Sequence, residues 1–134
     1  MAGYSGTSLE RKLGLAPGQV LFLDGAPDDL VLETTGLRVV RRLPASVDVT
    51  LTFHTTLAGL EQRLPRLFER TSTAGMVWVC WPKKAARRAL AIPGDLDEGG
   101  VRSLGLRLGF VDVKVAAIDE TWSGLKFVRR LADR

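Results

Sequence analysis

Short apolar runs alternate along this chain with segments of helical periodicity, and turn-forming residues separate them. Residues 76–81 (MVWVCW) form the most apolar run and are predicted to be the central strand of a sheet. Residues 37–42 form a weaker strand whose arginines suit a sheet edge, where charge discourages association between sheets. The other predicted strands are residues 19–23, 47–53, 111–118 and 125–131, of which the last two are joined as a hairpin.

Apolar residues spaced three and four apart between residues 57 and 70 predict an amphipathic helix. Pro65 lies inside it, and because proline removes a backbone N–H we expect a kink or two helical pieces. Further helices are predicted over residues 9–15 with Ser8 as the N-cap, over residues 28–34 and over residues 101–108, whereas residues 85–99 have an irregular pattern.

The order of these elements predicts the fold class. Strands and helices alternate through the first hundred residues, which favours a parallel sheet because parallel neighbours need crossover connections. The final hairpin adds an antiparallel strand. We therefore expect a single α/β domain over residues 1–134, with a small, doubly wound, Rossmann-like mixed sheet that is mostly parallel and ends in an antiparallel hairpin.

Composition and charge narrow the classes of function. The chain has 134 residues, 46% hydrophobic and 25% charged, as is usual for a globular domain. One cysteine (Cys80) and one histidine (His54) leave no intramolecular disulfide and no cysteine-rich or histidine-rich metal site, so no metal is implied. Cys80, inside the most apolar strand, is predicted to be an inert buried thiol.

The apolar runs and the net charge also bear on the location of the protein and on its partners. Residues 1–15 are polar, and no stretch of roughly 18 apolar residues occurs, so we expect a cytoplasmic protein that does not enter a membrane. The net charge of +4 gives a weak preference for anionic partners. No helix-turn-helix pattern is present, and nucleic acid is not an expected partner.

Polar clusters follow three of the predicted strands at the point where each strand ends. Ligands bind outside the carboxyl ends of the strands in open α/β sheets, which makes this edge the predicted site. Trp122 and Ser123, in the predicted hairpin turn, reach the same edge if residues 111–118 run parallel to the other strands. The predicted ligand-binding residues are Asp24, Gly25, His54, Thr55, Trp81, Lys83, Lys84, Trp122 and Ser123.

Several of these residues also have an ordinary structural alternative. Asp24 can accept hydrogen bonds from the turn that follows it, and His54 can satisfy a loop carbonyl. Thr55 or Thr56 can cap the next helix, and the lysines can lie in a solvated loop.

Three functions remain open. The first is a non-catalytic domain that binds an anionic small molecule or a peptide through the lysines and tryptophans at the edge. The second is an enzyme in which His54, the candidate acid or base, works with Asp24 or Glu120. The third is an interaction module, or a homodimer, whose basic edge holds Arg38, Arg41 and Arg42.

Two resemblances follow from particular segments. GYSGT, WPKK and ETWSGLKF resemble a family of short bacterial proteins defined only as a domain of unknown function, from which Ala85-Ala86-Arg87-Arg88 departs. The phrase GYSGT suggests that residues 4–6 cap the crevice. More distantly, the order of segments is similar to that of S-adenosylmethionine-dependent methyltransferases, which implies their fold.

The second resemblance does not extend to the cofactor. The glycine-rich loop of such a fold is reduced here to Gly25 followed by Ala26-Pro27, and the second strand has no acidic residue at its end. We therefore expect no cofactor, and no S-adenosylmethionine in particular.

Overall fold

The computed structural model describes residues 7–134, so the capping role predicted for residues 4–6 lies outside the described part of the chain. In chain order the strands are β1 (Val20–Asp24), β2 (Arg38–Val40), β3 (Val47–Phe53), β4 (Thr71–Pro82), β5 (Phe110–Ala117) and β6 (Trp122–Arg129). The helices are α1 (Leu9–Leu13), α2 (Leu57–Arg70), α3 (Lys84–Ala89) and α4 (Glu98–Arg107), followed by a 3₁₀ turn at Leu131–Asp133.

The strands form one mixed sheet in the order β2-β1-β3-β4-β6-β5. Neighbouring strands from β2 to β4 are parallel, and β6 is antiparallel to both β4 and β5. This is the predicted doubly wound α/β sheet, mostly parallel and closed by an antiparallel hairpin. Since β5 runs in the direction of β4, the carboxyl ends of every strand except β6 meet at one edge, called the carboxyl edge below.

One side of the sheet, called the α2 face, is covered by α2 and α4. Leu60, Leu64 and Leu67 form the buried stripe of α2 and join a core with the sheet residues that point the same way. The helix is not divided at Pro65, because that proline is exposed while the leucine stripe holds the turns on both sides of it against the sheet.

The opposite side, called the α1 face, is covered by the five-residue helix α1 and by a loop over residues 25–37. The predicted helix over residues 28–34 is wrong, since the chain there is irregular. Leu30 and Leu32 both pack towards the core while Val31 between them is 83% exposed. This alternation with a period of two is that of an extended segment, and an α-helix would turn the two leucines apart.

Two further boundaries differ from the predictions. Residues 84–89, predicted to be irregular, form α3, whose KAARRA sequence consists of good helix formers. Trp122, predicted to lie in the hairpin turn, is the first residue of β6 and pairs with Pro82. Among residues 7–134, no helix is both long enough and apolar enough to cross a membrane.

Candidate functional site

Asp24 is the last residue of β1 and points to the α2 face at the carboxyl edge. Its two carboxylate oxygens accept hydrogen bonds from Nε and Nη2 of Arg63 in α2, each at 2.9 Å. The same carboxylate accepts a 2.7 Å hydrogen bond from Oγ1 of Thr52. Burial raises the pKa of Asp24, but the hydrogen bonds from Arg63 and Thr52 outweigh it and the pKa lies below its ordinary value. Asp24 is therefore ionised at neutral pH.

His54 continues this chain of hydrogen bonds. Its Nε2 lies 2.7 Å from Oγ1 of Thr52, and a threonine hydroxyl has a single proton. Because the ionised Asp24 can only accept, Thr52 donates to Asp24 and accepts from His54, which must carry its proton on Nε2. Burial, followed by the charge of Arg63, lowers the pKa of His54, while the charge of Asp24 opposes them. The ring is thus neutral at neutral pH, with Nδ1 as a hydrogen-bond acceptor.

These four residues, Asp24, Thr52, His54 and Arg63, are called the Asp24–His54 network. The sequence predicted that Asp24 and His54 lie together, and they do, with Thr52 between them. It missed Thr52 and Arg63. Among residues 7–134 the side chain of His54 is hydrogen-bonded to Thr52 and not to Glu120, which is exposed in the turn before β6.

Gly25 and Thr55 follow the two strands of the network, and their backbones shape the edge. Gly25 has a φ of 70°, a left-handed conformation that favours glycine, and turns the chain away from β1. The carbonyl oxygen of Thr55 accepts hydrogen bonds from the amides of Asp95 and Leu96, both at 3.1 Å. Thr56, rather than Thr55, caps α2 through its side chain.

A second feature of the carboxyl edge is a cleft of about 540 Å³ at the end of β4, called the β4 cleft. Trp81 lies near the end of β4, Lys83 follows the strand, Lys84 begins α3 and Ser123 lies in β6. The loop over residues 94–97 and the first residues of α4 also line the cleft. The cleft therefore gathers four of the predicted ligand-binding residues, and the amides of its loop are anchored on Thr55 beside the Asp24–His54 network.

The β4 cleft carries three acidic side chains, and each has a partner within the protein. Asp95 accepts from the amide of Leu57 at 2.9 Å, and Asp97 accepts from the amide of Gly100 at the start of α4. Glu98 pairs with Arg102 at 2.8 Å. These carboxylates therefore hold the loop and α4 in place.

Of the three basic side chains of the β4 cleft, two have a partner within the described part of the protein and one does not. The Nζ of Lys83 donates to the carbonyl oxygen of Asp119 at 2.6 Å, and Nη2 of Arg87 donates to that of Leu96 at 2.9 Å. The ammonium of Lys84 has no side-chain partner among residues 7–134, and it is exposed. Lys84 is thus the cleft cation that is free for a ligand.

Trp122 does not join the cleft. It lies on the α1 face and contacts Phe53 edge to face, with ring centroids 5.2 Å apart. Trp81 is buried on the α2 face, so the sheet separates the two tryptophans that the sequence had placed around one pocket. The register of β6 against β4, which the sequence does not give, decides this, and packing on Phe53 explains Trp122 without a ligand.

No group of three potential metal ligands from histidine, cysteine, aspartate or glutamate occurs within residues 7–134.

The basic edge predicted from the sequence lies at β2, the short strand at one edge of the sheet. The residues exposed on and after this strand are Arg38, Arg41 and Arg42. Their role in partner binding stays a prediction.

The chain is similar to known proteins in structure. No protein-family model matches the chain, and no curated protein sequence matches it significantly. The magnesium protoporphyrin IX methyltransferase ChlM of Synechocystis PCC 6803, solved with bound SAM, is 12% identical with a TM-score of 0.62, over 91% of this chain and 74% of that one. A TehB-like SAM-dependent methyltransferase of Corynebacterium glutamicum is 11% identical with a TM-score of 0.56, over 94% of this chain and 91% of the other.

This chain spans a smaller share of some other matching structures. The chain spans 51% of a ChlM structure with bound SAH and 39% of LepI, whose complex with SAM is 13% identical with a TM-score of 0.52. Likenesses of this kind show that the chain has a methyltransferase-like α/β fold, and fold alone does not establish an activity. The resemblance to the short bacterial family stays a prediction.

Proposed function

We propose that this chain is a non-catalytic ligand-binding domain on a methyltransferase-like scaffold, and that it binds a small anion or an anionic group of a peptide in the β4 cleft. The observation that carries this proposal is the free ammonium of Lys84, in a cleft whose other charged side chains all have partners. An incoming carboxylate or phosphate would meet a cation that no side chain of the protein already neutralises.

The walls of the β4 cleft add an apolar contact surface. Trp81 and Leu96 line it and are 6% and 2% exposed, so they present a narrow apolar surface beside the lysine. Ser123 adds a hydroxyl. A binding site that is largely apolar with a few placed polar groups is the usual composition of a small-molecule pocket. The arrangement favours a ligand with one anionic group and a flat or apolar body.

The β1 end of the sheet argues against S-adenosylmethionine as the ligand. Dinucleotide-type cofactors are held by a glycine-rich turn at a helix N-terminus, with an acidic residue near the end of the second strand. Within residues 7–134 no helix lies between β1 and β2, and Arg41 follows β2. The carboxylate of Asp24 is already engaged by Arg63 and Thr52. These residues do not fit the cofactor, and no reaction is assigned through it.

A binding screen tests the proposal directly. Thermal-shift and calorimetric measurements would use phosphate, aromatic carboxylates, peptides with a free carboxyl terminus, SAM and SAH. We expect an anionic compound to stabilise the protein and SAM to have no effect. Lys84→Met should weaken that compound by about tenfold, which corresponds to about 1.4 kcal/mol for a charge-assisted contact.

Arg88→Met is the matched control, because Arg88 is an exposed cation of the same helix that does not line the cleft. Equal weakening by both variants would indicate a general effect of net charge and would contradict a specific site. Stabilisation by SAM but by none of the anions would overturn the proposal.

A second candidate function, acid–base catalysis, is favoured by the Asp24–His54 network. Its carboxylate, hydroxyl and imidazole are joined by two 2.7 Å contacts, which orient a neutral ring as a proton acceptor. Incubating each bound compound with the wild type and with His54→Gln, followed by mass spectrometry, distinguishes the two functions. Conversion by the wild type alone would establish catalysis, and recovery of the unchanged compound from both would rule it out for that compound.

A further inference from the structure

A second cavity, of about 480 Å³, lies on the α1 face near the β2 edge of the sheet. The loop over residues 25–37 covers it, in the place where a doubly wound fold usually has a crossover helix. The loop is irregular between its two turns, and the cavity lies between it and strands β1 and β2. The volume lies within the range of about 300–1,000 Å³ that is common for small-molecule pockets.

Part of the lining of this cavity is apolar. Leu23 and Val39 contribute from β1 and β2, and Leu30 and Leu32 from the loop. Leu23 is 7% exposed, whereas Val39 is 37% exposed, so the cavity is closed on the sheet side and open towards the edge. An apolar group entering from the edge would remove the exposed part of Val39 from water.

Two opposite charges line the same cavity, Asp28 from the loop and Arg41 from the residues that follow β2. Both are exposed, and among residues 7–134 neither forms an ion pair or a side-chain hydrogen bond, with each other or with another residue. Thr34 adds a hydroxyl to the lining. The cavity thus offers a free carboxylate and a free guanidinium beside the apolar part of its lining.

We propose that this cavity binds a free amino acid with an apolar side chain. The guanidinium of Arg41 can hold the ligand carboxylate through two parallel hydrogen bonds, and Asp28 can accept from its ammonium. The side chain of the amino acid would occupy the space between Leu23, Leu30 and Val39. The two free charges of opposite sign favour a zwitterion over a simple anion or cation, and a terminal residue of a peptide would carry only one of the two charged groups.

This site is separate from the β4 cleft, which lies at the end of β4 and is lined by a different set of residues. The inference therefore does not rest on the proposed function. In a titration the two sites are followed independently, since methyl signals of Leu30, Leu32 and Val39 report on this cavity and the indole signal of Trp81 reports on the cleft.

The test is an NMR titration of the full chain with L-phenylalanine, N-acetyl-L-phenylalanine and L-phenylalaninamide. We expect L-phenylalanine to shift the methyl signals of Leu30, Leu32 and Val39, and each blocked analogue to bind about tenfold more weakly because it lacks one charged group. Asp28→Asn should reduce the affinity for L-phenylalanine to that for the N-acetyl compound, and Arg41→Gln to that for the amide.

Asp29→Asn and Arg42→Gln are matched controls, because these exposed neighbours carry the same charges and do not line the cavity. They should leave the affinity unchanged. Equal binding of the free and blocked amino acids, equal effects of the control variants, or methyl signals that do not move would each overturn the proposal.

Discussion

Gly105 of α4 lies directly against the ring of Phe127 in β6. A Cβ atom built on this glycine would stand 2.1 Å from Cε1 of the ring and 2.2 Å from Cζ. Both residues are buried, and Phe127 is completely inaccessible to solvent. The approach of α4 to the sheet therefore requires glycine at this position, although glycine weakens a helix.

Gly105→Ala should destabilise the protein by about 1–3 kcal/mol, because the added methyl group would force the ring or the helix to move in a close-packed core. Urea denaturation measures the change. Gly99→Ala is the control in the same helix, since its Cβ would lie 3.7 Å from the nearest atom. That variant should be neutral or stabilising by up to about 1 kcal/mol. Equal effects of the two substitutions would contradict the close packing of α4 on Phe127.

Arg63→Ala should destabilise the protein by about 1–2 kcal/mol, because it leaves the carboxylate of Asp24 without its two strongest donors. The loss is smaller than that of a fully buried pair, since the side chains of Arg63 and Asp24 are 34% and 17% exposed. Arg66→Ala, which removes an exposed arginine of the same helix, should have little effect. Addition of Asp24→Asn to Arg63→Ala should cost less than Asp24→Asn alone, and strict additivity would indicate that the pair does not interact.

Stability should fall as the pH decreases below 6.5, the ordinary pKa of histidine, because the pKa of His54 is lower in the folded state. Between the two values the unfolded chain binds a proton that the folded protein does not, so acid favours unfolding. A further decline is expected below pH 3.8, where the lowered pKa of Asp24 has the same consequence. Denaturation from about pH 8 to about pH 5 should show the first decline in the wild type and a smaller one in His54→Gln.

The proton of His54 should be found on Nε2, as the hydrogen bond with Thr52 requires. Long-range ¹H–¹⁵N spectra distinguish the two ring nitrogens. Thr52→Val should remove this preference and destabilise the protein, since the buried Nε2–H and the Asp24 carboxylate each lose a partner. Thr50→Val is the control, because Oγ1 of Thr50 is buried without a hydrogen bond in the described structure. A wild-type spectrum with the proton on Nδ1 would contradict the network.

The sheet could be predicted from the sequence because its strands are encoded locally. A continuous apolar run such as residues 76–81 predicts a buried strand. The hairpin of the last two strands is predicted because they are close together along the chain. The loop over residues 25–37 could not be predicted in this way. Its leucines lie in a short polar segment that suits a helix or an extended chain, and contact with the α1 face decides between them.

The sequence predicts that the candidate site lies at the carboxyl edge of the sheet, but it does not predict all the residues of the site. The ends of β1 and β3 bring Asp24 and His54 together because adjacent parallel strands end at the same side. Arg63 reaches Asp24 only because α2 docks with a particular rotation, and sequence spacing does not specify that rotation. The side of the sheet on which Trp122 lies depends on strand register, and a shift of one residue would reverse it.

The two faces of the sheet are covered by different amounts of helix, so we expect them to differ in their resistance to local unfolding. The α2 face is protected by helices of 14 and 10 residues, whereas the α1 face has a five-residue helix and a loop whose internal backbone hydrogen bonds are those of two turns. Amides of residues 26–37 should therefore exchange with deuterium well before those of β3 and β4, and a protease should cleave there first. A ligand bound beneath this loop would slow both the amide exchange and the proteolysis of residues 26–37. Ligand binding and the stabilisation of the α1 face would then be coupled.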